Sequence, residues 1–408
     1  MNKPADVAAS NRPLSNTKPV KPCAYEEADL GFRNHWYPAM LSSHIRETEF
    51  KTLTILGEDI LFKRVDGIVY AVHDECAHRG FQFSAKPESH TKNTVTCYFH
   101  GFTYNIKNGE LIGVPSDPSS KLVGKVKLHS YPIQEAKGLI FIFIGDIEPP
   151  PLSDDVPPAF LDDTMHIVPF HQEDVHANWR VAADSASEFN HVFMHKDDLL
   201  IKYWKQPLPL VEMPKGDNPY EGYVPLEGPG PKGFKDVFRE VIPVFEYQFE
   251  CEGEKGVIRS AFDPKEHQGT MNLGVMEGIL VLPCGLRIGP WGANPGEMGG
   301  DYYHYEWYVP IDETHHRYII AWGKYVANAA EALKVEHDVR TRWSYLEYEG
   351  FNKSDVLANE GTQRAYSAPG YAFGEKENLS RIDGYCLMWR RMAAKHNRGR
   401  QVRYGGKK

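Results

Sequence analysis

The chain has 408 residues, enough for two or three domains and a large core. With 41% hydrophobic residues, 25% charged residues and a net charge of −9, it reads as an ordinary globular protein without the basic excess of a nucleic-acid binder. The longest apolar run, "GLIFIFIG" at 138–145, is too short to cross a bilayer, so neither nucleic acid nor membrane is an expected partner.

Residues 1–28 contain Pro, Ser, Asn and Lys and no apolar signal segment, which predicts a mobile tail on a cytoplasmic protein. The six cysteines are scattered, as in a reducing compartment, and no disulfide framework is expected. Residues 29–150 read as a small all-β domain. "TLTIL", "ILFKR" and "IVYAV" are strand-like, and "VDGIVY" and "IKNGELI" carry Asp-Gly and Asn-Gly hairpin signals. The Pro-rich, acidic "EPPPLSDDVPP" at 148–158 reads as a linker. Residues 151–408 are mixed. "NWRVAADSASEFNHVFMH" predicts a helix; "VFEYQFE", "GILVLP", "HYEWYVPI" and "RYIIAWG" predict strands. A long helix follows at 328–348 and another at about 378–396. Strands followed by long helices point to an α+β domain with helices against an antiparallel sheet.

Two stretches carry chemistry. In "ECAHRGFQFSAKPESHTKNTVTCYFHGFTY" (75–104), Cys76 and His78 have one residue between them, and Cys97 and His100 have two. Four ligands on one ion would make a zinc site. Two thiolates on one iron and two imidazoles on the other would make a Rieske [2Fe–2S] cluster. Each loop offers Cys and then His, so two loop tips can meet around a dinuclear cluster, and Gly80 and Gly101 suit tight loops beside the sulfurs. His90, in a polar run, is expected to be solvated.

In "DSASEFNHVFMHKDD" (184–198), His191 and His195 stand four apart. On a helix they share one face, as an ordinary amphipathic helix would also place them. With one carboxylate they would form the facial triad of a non-haem Fe(II) site. The carboxylate must come from elsewhere; Asp338, Glu347, Glu349, Asp355 and Glu360 are available. Asp355 could equally serve as a helix-start residue. The flanking Asp197 and Asp198 read as solvated or capping.

"CAHRG…CYFHG" followed by "NWR…E…HxxxH" and "YEGFNKSDVLANEG" (348–361) resembles the Rieske non-haem iron ring-hydroxylating oxygenases. The likeness is to their α-only, homotrimeric branch and covers roughly residues 28–400. The resemblance implies a Rieske domain over 29–150 and a helix-grip (START-like) catalytic domain over 151–408. Cys76, His78, Cys97 and His100 then hold the [2Fe–2S] cluster, and His191, His195 and Asp355 hold a mononuclear Fe(II). Glu188 links the iron to the cluster of a neighbouring subunit; the family usually has Asp there, so the match is in charge and not in length. The implied activity takes electrons from an NADH-dependent reductase through a ferredoxin and adds O2 to an aromatic heterocycle such as carbazole. Monooxygenation, demethylation and electron transfer without oxygenation are the alternatives. Lys125, His78 and His100 lie where a ferredoxin would dock.

By position in the same resemblance, Ala186, Val192, Leu210, Val275 and Gly278 line the substrate pocket. Leu286, Ile288, Trp291, His304, Phe351 and Asn352 complete it. Trp291 stands in place of a Phe, His304 of a Gln and Gly278 of a larger aliphatic residue. The set is largely apolar, as a flat polycyclic substrate requires.

Overall fold

The computed structural model describes residues 21–187, 191, 194–195, 197–204, 246–252, 255–261, 277–291, 301–368, 373–374, 377–379 and 383–403. Its N-terminal part is all β. Strands β2 (Phe50–Ile55), β3 (Glu58–Val65) and β4 (Ile68–His73) form an antiparallel meander extended by β8 (Ser130–Tyr131). The predicted Asp-Gly hairpin joins β3 to β4, with both Asp66 (φ 54°) and Gly67 (φ 78°) left-handed, as a two-residue turn of type I′ needs. Three short strands, β5 (Thr94–Thr96), β6 (Thr103–Asn105) and β7 (Leu111–Gly113), make a second small sheet. A third pairs β1 (His35–Leu41) with β10 (Leu139–Ile144) and β10 with β9 (Ile133–Ala136). The apolar "LIFIFI" is strand β10, buried at every position in the centre of that sheet.

The larger part is a seven-stranded antiparallel sheet in the order β11-β17-β16-β15-β14-β13-β12. Its strands are β11 (Met165–Val175), β12 (Glu246–Glu252), β13 (Lys255–Ala261), β14 (Glu277–Val281), β15 (Gly285–Trp291), β16 (Tyr302–Pro310) and β17 (His316–Tyr325). Alternation along β16 assigns its two faces. Tyr305 and Trp307 pack with Phe160, at 5.5 and 5.3 Å between ring centroids, and Phe160 reaches Phe141 of β10 at 5.9 Å. The opposite face carries His304, Glu306 and Tyr308 toward the helices. Register then places Ile288 and Trp322 beside His304, and Leu286 and Ile320 beside Glu306, on the same face.

Helix α1 (Trp179–Ser187) follows β11, and α2 (Leu199–Trp204) lies beyond it. The long helix predicted at 328–348 is longer and interrupted. It runs as α3 (Ala329–Asp338), a π-helical turn (Val339–Trp343), α4 (Ser344–Glu347), a second π turn (Tyr348–Asn352) and α5 (Lys353–Tyr366). Asn328 starts it by accepting from the N–H groups of Ala330 and Glu331. Each π turn inserts a residue and re-aims the side chains after it. Helix α6 (Gly384–His396) closes the chain.

Two expectations are corrected. The stretch at 148–158 is no loose linker. Asp155 is fully buried, 2.8 Å from His35 Nδ1, accepting from Trp36 N at 2.9 Å and from Arg398 Nη1 at 2.8 Å. The Trp36 indole donates to Pro150 O at 2.7 Å. Prolines and acids suggested solvent, but here the acids answer buried donors. Residues 23–28 are likewise no mobile tail. Tyr25 and Ala28 are buried, Trp179 donates to Ala28 O at 2.8 Å, and Arg180 donates to Glu26 O at 2.6 Å. A single buried aromatic, too little for a pattern in sequence, ties this segment down.

Candidate metal centres

Two loops of like shape carry Cys76, His78, Cys97 and His100. In the first, Cys76 N donates to Phe81 O and Gly80 N to Cys76 O, both at 2.9 Å. In the second, Cys97 N donates to Phe102 O and Gly101 N to Cys97 O, both at 2.8 Å. The repeated turn needs left-handed backbone at the same place, Gly80 (φ 76°) and Gly101 (φ 73°). A Cβ would meet Glu75 Oε1 at 2.9 Å in the first loop and Pro115 Cγ at 3.1 Å in the second.

The cysteines face inward and the histidines outward. Cys76 and Cys97 are free thiols buried among Val95, Phe102 and Tyr104. His78 is exposed and His100 half-buried, with ring centroids 4.8 Å apart. His78 stacks on Phe102 at 4.3 Å and 4°. The Tyr104 hydroxyl is 3.3 Å from Cys76 Sγ, and burial and that sulfur both push its pKa up, so it stays a donor. Burial also raises the Cys76 thiol, so a thiolate there needs a cation beside it. Two enclosed sulfurs and two rim imidazoles fit a [2Fe–2S] cluster, which Cys76, Cys97, His78 and His100 would hold. His90 is exposed, as expected.

The second set is assembled across the fold. Among the described residues, His191, His195 and Asp355 offer three ligand atoms within 4.8 Å of one another. Asp355 Oδ1 lies 3.7 Å from His191 Nε2 and 3.5 Å from His195 Nε2. The predicted continuous helix does not carry both histidines: α1 ends at Ser187, and His191 and His195 lie in 3-10 turns beyond it.

What aims them comes from farther away. His195 is fully buried, stacked on Phe351 at 3.8 Å and 9°. Its Nδ1 is 2.7 Å from Asp198 Oδ2, and Asp198 Oδ1 accepts from Ser354 Oγ at 2.9 Å. Asp198 thus fixes the tautomer and turns the Nε2 lone pair toward Asp355. Asp197 is exposed; Asp198 stands just before α2, its C=O accepting from Lys202 N, but its side chain is engaged with His195 and Ser354 and is not solvated. Gly350 permits this meeting, because a Cβ there would stand 3.2 Å from Leu199 Cβ and push α2 away. The second π turn presents Phe351 and Asn352, and Asp355 follows in the first turn of α5 without capping it.

The donor set passes a test of fit. His195 Nε2 is buried and makes no hydrogen bond. Burial lowers the pKa of His195, but Asp198 and Asp355 prevail and raise it to about 9. Burial raises that of Asp355, but His195 and His191 hold it below the usual carboxylate range. The two acids therefore favour positive charge beside the histidine nitrogens, which a bound cation would supply in place of a proton. Two nitrogens and one carboxylate oxygen on one side suit Fe(II) with open positions.

Of the predicted pocket residues, Gly278, Leu286, Ile288 and His304 sit side by side on the helix-covered face of the sheet. Phe351 and Asn352 approach from the second π turn, and Ala186 is buried on α1. Trp291 lies at the end of β15, past a bulge, paired with Tyr302 and packed against the buried cluster that contains Trp322 and Trp343. Glu188, Val192, Leu210 and Val275 lie outside the described residues. Sequence reasoning missed Asp198, Ser354, Glu306 and Tyr104. Only Tyr104 left a local trace, four residues after His100 in the same loop and strand.

Comparison with known proteins agrees with this arrangement. The family model described as homotrimeric ring hydroxylase matches residues 143–401, and that of the Rieske [2Fe-2S] domain matches residues 35–132. The chain is 39% identical over 381 residues to the carbazole 1,9a-dioxygenase terminal oxygenase component CarAa of Metapseudomonas resinovorans, covering 93% of this chain and 94% of that one. It is 38% identical over 380 residues to the counterpart from a Sphingomonas species, covering 92% and 95%. Among solved structures, the carbazole 1,9a-dioxygenase terminal oxygenase of Novosphingobium sp. KA1 superposes with a TM-score of 0.76 at 33% identity, covering 93% of this chain and 96% of that one. A reduced complex of oxygenase and ferredoxin in carbazole 1,9a-dioxygenase gives 0.76 at 35%, covering 93% of each chain. No helix among the described residues is long and apolar enough to cross a membrane. With an all-β cluster domain and a helix-covered antiparallel sheet meeting two metal-ligand sets, the chain belongs to the homotrimeric ring hydroxylases, Rieske oxygenases with a [2Fe–2S] cluster and a mononuclear iron.

Proposed function

We propose that this chain is the terminal oxygenase of a multicomponent, cytoplasmic aromatic-ring dioxygenase acting on a heterocycle such as carbazole. The convergence of His191, His195 and Asp355 carries the reading, because an electron-transfer protein alone has no use for a second donor set. When bound, the cluster supplies electrons one at a time and the mononuclear iron supplies a place for dioxygen beside the substrate. Cys76, His78, Cys97 and His100 hold the cluster, and His78, His100 and Lys125 face a ferredoxin. Residues 29–150 form the cluster domain and 151–408 the catalytic domain of a homotrimer, in which Glu188 links the iron to a neighbour's cluster.

The chain's own groups prepare the reaction. Asp198 holds His195 in one tautomer, and Ser354 holds Asp198. Leu286, Ile288 and Phe351 keep the site apolar and exclude water. Gly278 and Trp291, each differing in size from the residue the resemblance places there, set substrate shape.

Iron and labile-sulfide counting tests the assignment: about three Fe and two sulfides per chain are expected, against about two Fe for an electron carrier. Product analysis with carbazole, dibenzofuran and fluorene, using a matched ferredoxin and reductase, tests the substrate. The absence of an angular diol or ring-opened product from all three overturns it.

A further inference from the structure

Behind the His191–His195–Asp355 set lies a second group of ionisable side chains that the reaction as described does not use. His304 of β16 is enclosed, with Nδ1 3.0 Å from Glu347 Oε1 and Nε2 3.2 Å from Glu306 Oε1. Both glutamates are buried, and among the described residues neither forms an ion pair with Lys or Arg. Glu306 Oε1 also accepts from Asn352 Nδ2 at 3.1 Å, and Oε2 accepts from the Tyr308 hydroxyl. Tyr318 faces Glu306 from β17. On the other side, Asn352 Nδ2 lies 3.5 Å from Asp355 Oδ2. The side chains therefore form a line, Glu347–His304–Glu306–Asn352, that ends at Asp355.

Counting protons along the line gives its state. A neutral imidazole has one N–H, and its other nitrogen must accept. With a carboxyl oxygen on both sides, either one carboxyl is protonated or the ring is a cation, and in both cases the three groups share two protons. Burial lowers His304 to about 3, so the ring is neutral. Glu306 has the Asn352 and Tyr308 donors to stabilise its charge, whereas among the described residues Glu347 has the ring alone. Burial accordingly pushes Glu347 well above the usual carboxyl range and Glu306 to about 7. Glu347 Oε2 and His304 Nε2 make no aligned hydrogen bond in this resting arrangement, so a small rotation of ring or carboxyl closes the line.

We propose that Glu347, His304 and Glu306 form a proton store and relay serving the oxygenase site, with Glu347 its protonated end and Glu306 the end nearest Asp355. The proposal rests on the function proposed above. Dioxygenation joins an arene, O2, two electrons and two protons into a dihydrodiol: the O–O bond breaks, two C–O bonds form, and both oxygens end as hydroxyls. The electrons come from the cluster, and the two protons must reach the oxygens in step with them, which positioned carboxyl and imidazole groups can provide. In the relay, the Glu347 O–H passes its proton to His304 Nδ1 while Nε2–H passes its own to Glu306. One proton advances and no electron moves; Glu306 then gives it to a substrate-derived oxygen in the pocket, not through the Asn352 amide, which donates on both sides, and uptake of one proton from outside the group returns Glu347 and the ring to their starting state. His304, predicted above to read substrate shape, thereby acquires a proton-carrying role.

The test uses the full-length protein loaded with its cluster and iron. Infrared difference spectra of wild type against Glu347→Gln at neutral pH should show a protonated-carboxyl C=O band that shifts in D2O and is missing from the variant. His304→Gln can bridge both glutamates but cannot relay. It should keep its iron content and cluster absorption, yet turn over about 10²-fold more slowly with a larger solvent isotope effect. Absence of the band in wild type, its persistence in Glu347→Gln, or wild-type turnover by His304→Gln each overturns the proposal. If the wild type oxidises no arene, the function proposed above fails, and the infrared measurement still decides the protonation state by itself.

Discussion

At the cluster end, Cys76 and Cys97 each open a turn closed by its own backbone hydrogen bonds, with a left-handed glycine at the same step. At the mononuclear end, His195 and Asp355 come from separate segments, and side chains hold them: Ser354 on Asp198, Asp198 on His195, Phe351 stacked against the ring. The first site is local and carries its geometry in two loops. The second exists only when α2, the π turn at Tyr348–Asn352 and the first turn of α5 pack together. A local site depends on backbone conformation, and an assembled site on side-chain contacts one step removed from the ligands. The two should therefore fail independently and for different reasons.

The largest effect is expected from His191→Ala. Oxygenation should fall to background, and iron should drop from about three to about two per chain while the cluster's visible absorption is kept. Loss of that absorption would place His191 in the cluster site and dissolve the distinction. Next is Asp198→Ala, which frees the His195 ring without touching a ligand. A loss of about 10–100-fold in iron affinity or activity is expected, read by iron titration of the chelated protein. An unchanged affinity would mean that the two segments hold the histidine without Asp198.

At the cluster end, Gly101→Ala forces a left-handed residue with a side chain beside Pro115. A cost of about 1–2 kcal/mol should appear as earlier thermal bleaching of the cluster, with the mononuclear iron count unchanged at room temperature. Tyr104→Phe removes one hydrogen bond to Cys76, and that bond favours the more negative, reduced cluster. Its loss should lower the one-electron potential by roughly 20–60 mV, the equivalent of one hydrogen bond of ~0.5–1.5 kcal/mol, measured by redox titration. A rise in potential would show that the hydroxyl does not donate to the sulfur.

Stability should also depend on pH at the junction of the two parts. Burial lowers the pKa of His35, so the folded ring stays neutral, and its contribution is present above about 6.5 and lost as pH falls below it. Burial alone would raise that of Asp155, but His35 and Arg398 depress it, so its contribution is lost only at still lower pH, through the folded-state value. Acid should therefore loosen this junction in two stages, seen by thermal melts between pH 7 and pH 3.

The sequence alone determined the cluster loops, because Cys-x-His and Cys-x-x-His spacing, glycine and hairpin signals all act within a few residues. It also determined the buried β10 strand and a helix–sheet second half, since periodicity needs no distant partner. For the mononuclear site it offered two histidines and five acids, and resemblance, not spacing, selected Asp355. Only the tertiary structure decided what holds those residues. Asp198 reads as a solvated or capping acid until Ser354 and His195 meet it, and His304 reads as a pocket-lining residue until Glu306 and Glu347 flank it. The Pro-rich stretch at 148–158 reads as a linker until His35 and Arg398 surround Asp155. In each case a polar side chain's role is set by the partner that replaces water when it is buried, and that partner lies far along the chain.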